Sequence, residues 1–186
     1  MMMKNRFEYF LNAVHYCLWL ADKKSGDFIG KIVNTLLSPI PKYLFTKEYK
    51  KKCDERLQKQ QKEIDKFFYD KKSGLSIGLA DNNFVSVYSF YPCFLSWVLI
   101  GIADRWFGNL HNVYVLLLIA LPIGLCYIPA YRAVFTKDKY LKYFKQFEKE
   151  DDRWHRKWKW ITLLFCLGAV FAMVTGFLCM AFITSM

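Results

Sequence analysis

Charge is missing from three long stretches of this chain. Residues 84–103, 113–131 and 161–184 contain no Asp, Glu, Lys or Arg, although the whole chain carries 27 basic and 16 acidic residues. A water-soluble domain interleaves charge throughout its length, so a single soluble domain is excluded. Cysteine is too sparse for a disulfide-stapled mini-protein. The six cysteines, at 17, 53, 93, 126, 166 and 179, include no pair spaced as a metal knuckle or redox couple. The three histidines, His15, His111 and His155, lie in separate segments. No HExxH, GxSxG, phosphate-binding or dinucleotide-binding motif occurs. No catalytic residue, metal site or cofactor is therefore assigned, no small-molecule substrate is evident, and no motif carries a family resemblance. Acidic residues alternate with basic ones, leaving no single-sign stripe for a phosphate backbone, which argues against nucleic acid. An apolar content of 54% excludes intrinsic disorder.

What is present is membrane-length apolar sequence. At about 1.5 Å per residue the three stretches reach roughly 28 to 36 Å, against a hydrocarbon core near 30 Å. Trp106 follows the first, and Trp154, Trp158 and Trp160 precede the third, where interfacial anchors belong. The expected fold is an all-α integral membrane protein with three transmembrane helices. A hairpin spans 84–131, and a third helix spans 161–184. Of the 27 basic residues, 16 precede the first stretch, ten lie in 132–160, Arg105 alone occupies the short loop 104–112, and none follows the third. The positive-inside rule then places the N-terminus in the cytoplasm and the C-terminus outside. Unpaired cysteines and the lack of a cleavable leader fit a bacterial plasma membrane.

The first third, 1–45, reads as two amphipathic helices in the membrane interface. Phe7, Phe10, Leu11, Val14 and Leu18 share a face away from Glu8, Asn12 and His15. A turn at Lys23-Lys24-Ser25-Gly26 leads to a second helix striped by Phe28, Ile29, Ile32, Val33, Leu36 and Leu37, ended by Pro39 and Pro41. Packing on protein is the alternative. A fourth span through 28–45 has to bury Lys31 and two prolines, and is disfavoured.

Residues 46–72 read as a charged cytoplasmic helix laced by pairs such as Glu48 with Lys52 and Lys51 with Glu55. Its seam of Tyr49, Cys53, Leu57, Ile64 and Phe67 is a candidate docking surface. The region 132–186 reads as a second charged helix, beginning near Asp138 and continuing without a break into the third span. Arg153, Arg156, Lys157 and Lys159 sit where anionic lipid headgroups lie, and the competing reading is that they only set topology.

The spans themselves carry packing chemistry. Gly168, Ala172 and Gly176 recur every four residues as a small-residue face, and Ser89, Cys93 and Ser96 form a weaker one. Pro92, Pro122 and Pro129 free the carbonyls of Tyr88, Leu118 and Leu125, which need other donors in lipid. These features point to a non-enzymatic accessory or scaffold subunit of a membrane assembly, with a basic cytoplasmic docking face. Its partners are the bilayer and either further copies of itself or another membrane subunit. The alternatives are an oligomeric pore-forming or membrane-perturbing effector and, less favoured, a lipid-acting enzyme using residues such as His155.

Overall fold

The computed structural model describes residues 6–37, 67–72, 74–108 and 110–185. Its helices are α1 (Arg6–Leu37), α2 (Leu75–Phe107), α3 (Asn112–Val134), α4 (Lys139–Phe147) and α5 (Asp152–Ser185), with a 3-10 turn at Thr136–Asp138. No strand occurs among the described residues. The helices α2, α3 and α5 are long and apolar enough to cross a membrane, and each contains one of the three charge-free stretches. Little of that apolar surface is covered by the protein itself. In the most apolar stretches of α2, α3 and α5, 22%, 6% and 11% of residues are buried, so side chains such as Leu116, Leu125 and Phe171 face outward.

The chain divides into two compact units, Met1–Cys17 with Asn82–Met186, and Leu18–Asp81. In the first, α2 packs against both α3 and α5. Close approach to α5 needs glycine. A Cβ on Gly176 would lie 2.8 Å from Phe94 Cα, and one on Gly101 would lie 3.1 Å from Met180 Cα. Hydroxyl groups on α2 supply the remaining polar links. Tyr91 donates to Phe165 O at 2.7 Å on α5, and Tyr88 donates to Cys126 O at 3.2 Å on α3. Ser96, buried, donates to Ile119 O at 3.3 Å. Cys126 and Ile119 lie one residue beyond Leu125 and Leu118, the carbonyls that Pro129 and Pro122 free, so these hydroxyls link α2 to α3 beside the proline sites and not at the freed carbonyls themselves. At the far ends, Arg105 donates to Ile183 O at 3.3 Å, placing a cation on the last carbonyls of α5. His111 caps α3 by accepting from Val113 N. Arg105 and His111 thus close helix ends.

The second unit holds the later part of α1. Trp19 is buried and its Nε1 donates to Ser76 Oγ at 3.2 Å. The Lys23 ammonium lies 5.6 Å from the ring centres of both Trp19 and Tyr69, and that of Lys71 lies 5.9 Å from Trp19.

Two expectations about local structure are corrected. The turn at 23–26 is helix, because α1 runs unbroken from Arg6 to Leu37. A single glycine costs a helix only about 1 kcal/mol relative to alanine. Here the Tyr69 ring lies beside Gly26 and Lys23 is held between aromatic rings. The charged helix expected from Asp138 into the third span is interrupted at 148–151. Glu148, Glu150, Asp151 and Asp152 crowd there. Negative charge opposes the C-terminus of α4 but favours the N-terminus of α5, and Asp151 Oδ1 accepts from Trp154 N at 2.8 Å as a cap.

Candidate functional site: an aromatic cluster around the first helix

The densest packing in the first unit surrounds the opening turns of α1. Every residue from 11 to 17 is buried, including Asn12 and His15 at 0% exposure, while Phe7 remains 43% exposed. Asn12 and His15 were the polar face expected to look outward. The helix is instead enclosed on all sides here, which a helix lying one-sidedly on an interface is not. The physical reason is that the Asn12 amide finds carbonyl acceptors inside and the His15 ring is taken in by other aromatic rings. Asn12 Nδ2 donates to Glu8 O at 2.7 Å and to Ala133 O, near the end of α3, at 3.1 Å.

His15 sits among four rings, Phe84, Phe135, Tyr140 and Phe144, at 5.3 to 5.6 Å between centres. The short helix α4 supplies two of them. Its Tyr140, Phe144 and Phe147 recur at helical spacing and are buried, whereas Lys142, Lys145 and Lys149 around it are exposed. The link from α3 into α4 passes through Lys137 and Asp138, both in the left-handed region at φ 59° and 50°. Neither is glycine, so each costs roughly 1–2 kcal/mol.

Tyr9 and Tyr16 fasten α1 to the start of α5. Tyr9 accepts from Trp154 Nε1 at 2.9 Å and meets the rings of Phe147 and Trp158 edge-on. Tyr16 contacts Phe144, Phe147, Trp154 and His155, and Trp154 stacks on Phe147 at 4.8 Å. At the rim, Glu8 pairs with Lys139 at 3.1 Å and accepts from the Tyr143 hydroxyl at 3.3 Å. Lys139 also reaches Arg132 O at 3.2 Å.

Burial sets the chemistry of these groups. It pushes the Tyr16 hydroxyl up to about 12, with Glu148 adding to the effect, and it raises Tyr9 and Tyr143. It raises the Cys17 thiol as well. A thiol held above its ordinary range stays protonated at neutral pH and is a weak nucleophile and metal ligand. His155 is half-buried against Tyr16 and Trp154. Among the described residues, no three His, Cys, Asp or Glu side chains converge as metal ligands.

The site residues named from the sequence fall in several places. Gly168 and Gly176 face α2 of the same chain: a Cβ at Gly168 would lie 3.0 Å from the Tyr91 hydroxyl oxygen, and Gly176 is buried against Phe94. With Ala172, half-buried between them, this face is occupied internally and does not by itself call for a second subunit. Ser96 reaches α3, Ser89 bonds to Val85 O in its own helix, and Cys93 is half-buried. Arg153, Arg156, Lys157 and Lys159 are all exposed. Of the docking seam, Tyr49, Cys53, Leu57 and Ile64 lie outside the described residues, and Phe67 is 65% exposed.

Sequence reasoning missed the cluster joining Tyr9, Asn12, His15 and Tyr16 to α4 and α5. One signal was available: an aromatic content of 19%, with Tyr140, Phe144, Phe147, Trp154 and Trp158 all outside the spans. Set against protein-family models, curated proteins and solved structures, the chain matches none.

Proposed function

We propose that this chain is a non-enzymatic accessory subunit of a membrane assembly, crossing the bilayer three times and offering a basic face to its partner. In this reading the positive-inside bias sets the N-terminus and the 132–160 segment on the cytoplasmic side and the C-terminus outside, and the unpaired cysteines fit a bacterial plasma membrane. One observation carries the reading. Around α4 and the start of α5, His15, Tyr9 and Tyr16 are packed among rings and Cys17 is buried, while Lys142, Lys145 and Lys149 are displayed. Such a region holds its shape and presents charge. It suits recognition of an acidic protein surface better than turnover of a substrate.

The test is isolation of the tagged full-length chain from its native membrane in mild detergent after crosslinking in cells. A defined complex of fixed stoichiometry, weakened by added salt, is the expected result. A monomer with no crosslinked membrane neighbour overturns the reading.

A further inference from the structure

We propose that the outward face of α5 seats one anionic phospholipid, its phosphate on Arg153, Arg156 and Lys157 and its acyl chains along the apolar helix below. This rests on the membrane reading above and not on the partner subunit. The helix α5 is unbroken from Asp152 to Ser185, so one face can be followed from its charged start into the apolar span. Residues 153, 156, 157 and 160 lie at the i, i+3, i+4, i+7 spacing of a single helix face. The three basic side chains are exposed, and Trp160 beneath them is 63% exposed. The same face continues through Leu164, Leu167 and Phe171, which are 65%, 58% and 70% exposed. The opposite face is the packed one, with Thr162, Ala169 and Gly176 buried.

The order along this face is cation, indole, then apolar side chains. That is the order of a phospholipid from phosphate through glycerol to chain. From Trp160 to Phe171 the helix rises about 16 Å, which matches one leaflet of a hydrocarbon core near 30 Å. Two arginines add forked donors matched to phosphate oxygens, which a lysine lacks. Asp151 and Asp152 are exposed at the start of the helix and oppose the basic charge there, so the site is centred on Arg156 and Lys157.

The experiment uses the purified full-length protein in a neutral detergent. Phosphatidylglycerol and phosphatidylcholine of identical chains are titrated, with bound lipid read by native mass spectrometry. Phosphatidylglycerol is expected to bind about tenfold or more tightly than phosphatidylcholine, because its net negative charge meets the basic residues near the headgroup. R156Q/K157Q removes the preference. K24Q/K72Q, which takes the same charge from exposed lysines elsewhere, retains it. Soluble glycerol phosphate does not displace the lipid. Equal binding of the two lipids, a preference that survives R156Q/K157Q or is lost equally in K24Q/K72Q, or displacement by glycerol phosphate overturns the proposal. Failure of the membrane reading shows separately, as a chain that stays soluble without detergent.

Discussion

The aromatic cluster and the three membrane-length helices are held together by different means. Around α1 and α4, large side chains are enclosed: Phe144 and Phe147 are at 0% exposure, and His15 lies within four rings. Among α2, α3 and α5 the large side chains point outward, and cohesion comes from glycine at the close approaches and hydroxyls aimed at carbonyls. Burying apolar area contributes about 25 cal/mol per Å² where water is the alternative. In lipid that drive vanishes, because acyl chains are as apolar as leucine, and close packing with interhelical hydrogen bonds remains. The proposed placement of the long helices in lipid and the cluster in water calls for this contrast.

The largest test of that contrast is Phe144→Ala. Truncating this fully buried ring is expected to cost about 3–5 kcal/mol. Loss of the Trp154 fluorescence signal on heating in detergent, at a lower temperature than wild type, reads the effect. Far-UV helicity of the long helices is expected to persist past that transition. Loss of both signals together shows that the two regions are one cooperative structure.

Gly176→Leu addresses the other region. Its side chain would meet backbone at Phe94, and overpacking of this kind costs about 1–3 kcal/mol. Here the order is reversed: the long helices separate at lower temperature while the Trp154 environment is kept. An unchanged melting profile shows that close approach does not hold α2 to α5.

The smallest effect at neutral pH belongs to Tyr16. Its pKa is raised from 10.0 to about 12 by burial. The neutral phenol therefore favours the fold fully below pH 10, and that contribution is lost as pH rises through about 12. An alkaline titration followed by tyrosinate absorbance and Trp154 fluorescence is expected to show the cluster loosening in that window. Tyr16→Phe removes this step while leaving the protein little changed at pH 7. A Tyr16 that ionises near 10 with the cluster intact contradicts the burial drawn for it.

The three apolar helices were legible because their signal is long and needs no partner. Twenty residues without a charge announce a membrane-length helix whatever packs against it. The break at 148–151 was legible in principle from Glu148 to Asp152, whose charges suit a helix start and oppose a helix end. The enclosure of Asn12 and His15 was not. A helical wheel scores them as polar and turns them outward, and only the carbonyl of Ala133 and the rings of α4, more than a hundred positions along the chain, reverse that assignment. The glycine face at 168 and 176 reads equally well as an external or internal surface until Tyr91 and Phe94 are placed against it.

Sequence alone therefore determined which segments are helical and apolar enough to leave water, since length and absence of charge are properties of one segment at a time. Tertiary structure decided which side of each helix is inside, because that depends on what a distant segment brings to meet it. A buried amide stays buried only if another strand of the chain offers it an oxygen.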